Sequence, residues 1–262
     1  MTGPIPDPYG PPLVDASGNV YGTTATGGYY SVGTAFELMP TSSGYAYNEI
    51  FSFGQGNDAE FPYGSLWLTS SGALVGTSIV GGANNAGTVF SLASNGSTYS
   101  ETLLYSFGKN LATPSGGVIE DASGDFYGTA ECRVNINGGG CGGNGGVFRI
   151  SPSGETELHR FEGGKKEGGK PLNNLVMDAS GNLYGVSNGL SSRTYGDVFE
   201  LSPTPHGEWS ETILHAFQGG SDGRCQHSSG CAGLLLAQNG TFYGTTARGG
   251  TSGNGLVFAL TP

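Results

Sequence analysis

Apolar and polar positions along the chain fall into short blocks with a period of two, and the blocks recur as a set. In the best-defined set, residues 174–178 and 183–187 flank a tight turn, residues 197–202 form a third block, and residues 209–217 alternate apolar with polar side chains. Blocks this short, bounded by Gly, Asp, Asn and Ser, have the length and flanks of strands. No segment places apolar residues at helical spacing. The pattern predicts four antiparallel strands per set, here called A to D. Gly181 sits where the A–B turn needs a positive φ.

The set repeats. Asp-Ala-Ser-Gly-Asn-Val-Tyr-Gly-Thr-Thr at residues 15–24 returns as Asp-Ala-Ser-Gly-Asp-Phe-Tyr-Gly-Thr-Ala at 121–130 and as Asp-Ala-Ser-Gly-Asn-Leu-Tyr-Gly-Val-Ser at 178–187, with diverged copies at 69–78 and 238–246. The strand-B glycine falls at Gly22, Gly76, Gly128, Gly185 and Gly244, so the period is 52–59 residues. Strand C carries Phe36, Phe90, Phe148, Phe199 and Phe258, and strand D ends at Phe53, Phe107, Phe161 and Phe217. Four strands in such a period make a propeller blade. The fold class predicted is all-β: a five-bladed β-propeller of four-stranded antiparallel blades, the last lacking its outer strand. It forms a single domain over 1–262, with blades at about 8–61, 62–113, 114–170, 171–230 and 231–262. Tyr21, Tyr127, Tyr184 and Tyr243 are expected at matching places between blades. Strand C of the last blade is left as an open edge. Residues 2–7 or another chain would have to cover it, and Pro4 and Pro6 make residues 2–7 a poor strand.

The string Tyr-Gly-Thr-Thr…Gly-Gly…Gly-x-Val-Phe has copies at 21–36 (with Ala35 for Val) and 243–258. It resembles the GloVer tandem repeat of secreted and surface-anchored bacterial proteins, over nearly the whole chain. The Asp-x-x-Gly-Asn-x-Tyr turn is also similar, less closely, to NHL-type and gluconolactonase-like propeller blades. The GloVer resemblance implies export, a propeller-like array and an anchor, and no anchor segment follows Pro262. It implies no particular activity.

Composition changes the picture in two respects. The chain has 50 Gly and 13 Pro in 262 residues, near the level where low complexity is the default. Its 13 Phe, 13 Tyr and 2 Trp recur with the period, however, and supply the apolar surface that disordered chains lack. Ten basic against 21 acidic residues give a net charge of −11. That excludes a phosphate-backbone footprint, hence nucleic acid, and disfavours anionic membranes. No apolar run approaches the roughly 18 residues of a membrane span. No signal peptide precedes Thr2. The expectation is a secreted or cell-surface protein, with an export signal removed or lying upstream.

Candidate chemistry is sparse. Gly185-Val-Ser-Asn-Gly189 fits the Gly-x-Ser-x-Gly elbow, but no helix follows, and Ser187 is a repeat position that happens to be serine. His159 and His215 take the strand-D slot held elsewhere by Phe51 and Tyr105, and His206 lies in a C–D loop. The four cysteines are spaced unlike zinc or redox motifs, so in an exported chain Cys132–Cys141 and Cys225–Cys231 read as disulfides, each pinning a long loop. Cys225, His227 and Cys231 lack an evident fourth metal ligand. Asp15, Asp121 and Asp178 lack a calcium ladder and read as turn-forming side chains. The Gly-Gly pairs at Gly27, Gly81 and Gly249 read as turns, and the sequons at Asn95 and Asn239 depend on the host. No metal or cofactor is expected.

Three functions compete. The leading one is an extracellular binding module, most suited to glycans. The second is a lyase or hydrolase acting on a polysaccharide or lactone at the propeller axis, using blade-unique groups such as Glu131, Arg133, Arg224 or His227. The third is a structural protein that self-associates at the edge of the fifth blade. In a propeller the D–A and B–C loops share one face. Here those loops vary and carry the cysteines, whereas the A–B turns are uniform. The variable face is therefore the expected binding surface, with Tyr29, Tyr30, Arg133, Arg193, Tyr195, Arg224 and His227 as its candidates.

Overall fold

In the computed structural model, residues 7–96, 98–134, 141–163, 168–190, 194–225 and 231–261 are described, with Cys141 described by its backbone alone. Five antiparallel sheets form the blades of a β-propeller, four running A-B-C-D and the fifth A-B-C in space as in sequence. Blade 1 consists of Leu13–Val14, Val20–Thr24, Thr34–Thr41 and Gly44–Ser52. Blade 2 is Trp67–Leu68, Leu74–Ser78, Thr88–Ser94 and Tyr99–Ser106. Blade 3 is Ile119–Glu120, Phe126–Ala130, Gly146–Ser151 and Gly154–Arg160. Blade 4 is Val176–Met177, Leu183–Ser187, Asp197–Pro203 and Trp209–Ala216, and blade 5 is Leu235–Leu236, Phe242–Thr246 and Leu256–Leu260. Among the described residues the fifth blade has three strands and no strand D, in line with the repeat count. The one helical element among the described residues is a short 3-10 turn at Gly220–Asp222. Strand A is shorter than its sequence block, because residues before it leave the ladder to meet neighbouring blades.

The uniform A–B turn is built by its aspartate. Asp178 Oδ1 accepts the backbone N–H groups of Ser180 and Asn182 at 2.8 and 2.9 Å, and Oδ2 accepts the Tyr184 hydroxyl at 3.0 Å. Asp121 repeats this with Ser123, Asp125 and Tyr127 at 2.8, 3.0 and 2.9 Å. Asp15 does so with Ser17 and Asn19 at 2.8 and 2.9 Å. The Asp-x-x-Gly-x-x-Tyr spacing is therefore a self-satisfied turn tied to the second strand-B side chain. Burial works against these carboxylates, but the hydrogen bonds outweigh it and hold all three below the usual range. Burial first, then the paired aspartate, pushes Tyr127 and Tyr184 up to about 12.

The strand-B glycine and strand-C phenylalanine recur together for a steric reason. They are direct cross-strand partners, as in Gly22↔Phe36, Gly76↔Phe90, Gly128↔Phe148 and Gly185↔Phe199. A Cβ on these glycines would meet the tip of the partner ring at 2.5–2.6 Å. The ring lies flat over the glycine, and the strand-D phenylalanine of the preceding blade then meets it edge-on. Phe53–Phe90, Phe107–Phe148, Phe161–Phe199 and Phe217–Phe258 are T-shaped pairs at 4.9, 5.0, 5.2 and 5.4 Å.

The core accordingly lies between blades. Tyr127, Val147 and Phe161 of blade 3 pack on Leu183, Phe199 and Leu201 of blade 4. Tyr184, Val198 and Phe217 of blade 4 pack on Phe242 of blade 5. Tyr21, Tyr127 and Tyr184 hold the equivalent places expected of them, whereas Tyr243 is exposed. Of residues 2–7, only Asp7 is described. Its carbonyl accepts from Ala25 N–H in blade 1, and Leu256–Leu260 has no described partner besides Phe242–Thr246.

Candidate functional site

The residues just before each strand A converge on the propeller axis. The repeat puts Tyr9, Tyr63, Ser115, Leu172 and Cys231 at one position, and Gly10, Gly64, Gly116, Asn173 and Ala232 at the next. A Cβ on Gly10 would lie 2.7 Å from the Gly64 carbonyl, one on Gly64 would lie 2.6 Å from Gly117 N, and one on Gly116 would lie 2.6 Å from Asn173 O. Successive backbones touch here, and only glycine permits it. The contacts are fastened by strand-B threonines: Thr77 Oγ1 donates to Gly116 O at 2.6 Å and Thr129 Oγ1 to Asn173 O at 2.9 Å. Asn174 crosses the axis. Its Oδ1 accepts Gly117 N–H at 2.6 Å, and its Nδ2 donates to Ser65 Oγ.

These segments line a cavity of about 420 Å³. Tyr9 and Tyr63 form one wall, with ring centroids 4.4 Å apart and planes tilted by 38°. Burial first, then Tyr9, pushes the Tyr63 hydroxyl above its ordinary range. Ser115 lines the cavity, and its Oγ is buried without a hydrogen-bond partner among the described residues. Glu131 is the one carboxylate among the described lining residues, and Lys170 Nζ lies 3.6 Å from it. The entry segments are strained: Phe61, Thr113 and Lys170 have φ of 54°, 59° and 48°, and each precedes a proline. The backbone carbonyls of Phe61 and Thr113 accept from Ile79 and Glu131 N–H at 3.2 and 3.1 Å.

The cavity belongs to the variable loop face. Two small sheets lying outside the blades show that D–A and B–C loops pair with each other. Ala59–Glu60 pairs with Val80–Gly81, and Leu111–Ala112 pairs with Cys132–Val134, which also pairs with Cys141–Gly142. The cavity combines D–A residues such as Tyr63 and Ser115 with the B–C residues Ile79 and Glu131.

The loop candidates named from sequence are spread over blades 1, 3 and 4, and none of those described lines the axial cavity. Tyr29 is exposed and edge-on to Tyr30, with centroids 4.9 Å apart. The Arg133 guanidinium is held by Glu157 at 3.0 Å. Tyr195 packs into the blade 4–blade 5 cluster, and Arg224 N–H donates to Arg248 O at 3.0 Å. Arg193 and His227 lie outside the described residues. Glu131, raised as a blade-unique group, does reach the cavity. Tyr9, Tyr63, Ser115, Asn173 and Asn174 were missed. Their signal was a fourth repeated block, Asp7-Pro-Tyr-Gly10, Phe61-Pro-Tyr-Gly64, Thr113-Pro-Ser-Gly116 and Lys170-Pro-Leu-Asn173.

The remaining candidates are structural. Ser187 is fully buried and donates to Asp197 Oδ1 at 2.7 Å. His159 and His215 stand edge-on to Phe161 and Phe217, as Phe51 and Tyr105 do to Phe53 and Phe107. Cys225 and Cys231 form a disulfide with a Cα–Cα distance of 5.0 Å, which removes both thiolates as metal ligands. Cys132 is also disulfide-bonded, and the side chain of its expected partner, Cys141, lies outside those described. Among the described residues, no three His, Cys, Asp or Glu side chains cluster as a metal site.

Solved structures share the architecture at low identity. A protein of unknown function from Dyadobacter fermentans is 11% identical with a TM-score of 0.51, over 96% of this chain and 74% of that one. A thermostable family-43 glycoside hydrolase is 10% identical with a TM-score of 0.50, over 97% and 88%. Both likenesses concern the fold alone. No curated protein sequence matches. The Gloeobacter/Verrucomicrobia repeat profile matches residues 111–262, more than half of the chain, and the protein belongs to that repeat family.

Proposed function

We propose that the protein is an extracellular binding module that takes a carbohydrate in the axial cavity, with the surrounding D–A and B–C loops as its rim. The carrying observation is the axis itself: equivalent repeat positions hold different residues there, giving a paired tyrosine wall opposite Ser115, Asn174 and Glu131. Tyrosine faces suit the C–H faces of sugar rings, and amide, hydroxyl and carboxylate groups suit their hydroxyls. The unpartnered Ser115 hydroxyl supports a bound polar group in the cavity. The disulfide in the loop next to the axis supports a preorganised site. A disulfide in a bacterial repeat family is consistent with an extracellular location.

Binding is favoured over glycoside hydrolysis because the usual hydrolytic mechanism needs two carboxyl groups, about 5–9.5 Å apart. Glu131 is the one carboxylate among the described residues that line the cavity, and Lys170 pairs with it. The test is a glycan array on the purified protein, run beside chromogenic glycoside and ester substrates. Tyr63→Ala should abolish any array signal, whereas Tyr29→Ala should leave it. Absence of any glycan signal, or turnover that Glu131→Gln abolishes, would overturn the reading.

A further inference from the structure

The four joints between blades are built from the same two faces, and at each end of the array one of those faces is left bare. The leading face of a blade carries the strand-C residue before the phenylalanine. Ala35, Val89, Val147 and Val198 are all 0% exposed there, but Val257 of blade 5 is 75% exposed. The leading strand-B residues Tyr21, Val75, Tyr127 and Tyr184 are buried, but Tyr243 is 41% exposed, and its cross-strand partner Leu235 is also exposed. Thr245 occupies the position from which Thr77 and Thr129 donate to the next blade, and it too is exposed.

The complementary trailing face is bare on blade 1. Val14, Val20, Leu38 and Tyr47 form one cross-strand row, with Phe36 stacked beside Tyr47 at 6.1 Å. Val14, Tyr45 and Tyr47 are exposed. The internal counterparts of Phe36 and Leu38, such as Phe90 with Leu92 and Phe199 with Leu201, are fully buried. Because both faces are open in the same molecule, the chain's own blade 1 does not cover its blade 5.

We propose that two copies of this chain associate head to tail, the leading face of blade 5 in one packing on the trailing face of blade 1 in the next. The occupant follows from the molecule: among the described residues, every other leading face of this array is covered by a trailing face of the same repeat, and the trailing face left uncovered is that of blade 1. The interface is heterologous, so it propagates to a ring or a filament. A net charge of −11 per copy opposes it, so association strengthens with salt.

The experiment is sedimentation velocity on the full chain over a wide concentration range at low and high salt, with two charge variants. Val257→Asp spoils the leading face and Tyr47→Asp the trailing face. Both sites are exposed, so each variant should keep the wild-type circular dichroism. Wild type should grow beyond 26.7 kDa with concentration and salt. Each variant alone should stay monomeric, and an equimolar mixture should restore one joint, giving a species of twice the monomer mass and nothing larger. A wild type that stays monomeric at the highest concentration overturns the proposal. So does either variant associating alone as wild type does, or a mixture that remains monomeric.

Discussion

Gly128→Ala tests whether the glycine–phenylalanine pairing organises the blades. A methyl group at this position would sit 2.5 Å from Phe148 Cζ, more than an ångström inside contact distance. The ring has nowhere to go. Phe148 is fully buried, and Phe107 of the preceding blade stands edge-on to it at 5.0 Å. Overpacking of this kind costs about 1–3 kcal/mol. Displacing a ring shared by two blades places it at the upper end, and the stiffer unfolded chain returns about 0.4–1 kcal/mol. The net loss should be about 2 kcal/mol, or a Tm lower by about 4–8 °C for a chain of this size. Urea and thermal unfolding would measure it, with Phe148→Leu and the double variant completing a cycle. Shrinking the ring should relieve the methyl, so the double variant should be more stable than the sum of the singles by about 1 kcal/mol. A neutral or stabilising Gly128→Ala, or strict additivity, would refute the argument.

Other consequences concern charge and cross-links. Glu101 accepts Ala59 N–H at 3.1 Å, and burial first, then the neighbouring Asp58, pushes its carboxyl up to about 7. Its folded pKa lies above its unfolded one, so the native state holds the proton and stability falls as pH rises from about 4.5 to 7. Glu101→Gln should therefore match wild type near pH 4.5 and exceed it by about 1–2 kcal/mol at pH 8, after allowing for partial solvation; denaturant melts at both pH values check this, and equal stability at pH 8 contradicts it. The turn aspartates act in the opposite sense. Their folded pKa values lie below the unfolded 3.8, so their support is complete above that value and is lost as pH falls through the folded pKa values. Asp121→Asn should flatten the acid limb of a stability–pH profile. Replacing Cys225 and Cys231 by alanine should cost about 2 kcal/mol by loop entropy, measured by denaturant melts of variant and wild type under oxidising conditions.

The blades were legible because packing here is periodic: each requirement recurs every 52–59 residues. Gly128 illustrates how a correct pattern can carry an unread cause, since its φ is ordinary and its glycine is required by a ring across the strand rather than by a turn. Strand A was read too long because residues 174–175 look like strand, but Asn174 spends its side-chain amide on a neighbouring blade and across the axis. The site was harder to find because a repeat hides its own asymmetry. Tyr9, Tyr63, Ser115, Leu172 and Cys231 become one ring of different side chains only when the blades are superposed in space. The loop candidates were chosen for variability and chemistry, signals that say nothing of reach. Arg133, for one, is spent on Glu157.

The most direct test of the account is an NMR titration of the protein, carrying isotope-labelled tyrosine rings, with any carbohydrate retained on the array. The account predicts saturable shifts at Tyr9 and Tyr63 in the axial cavity, lost together with affinity in Tyr63→Ala, while Tyr127 and Tyr184 in the opposite turns stay unmoved. Saturable shifts confined to Tyr127 and Tyr184, or full affinity in Tyr63→Ala, would contradict it.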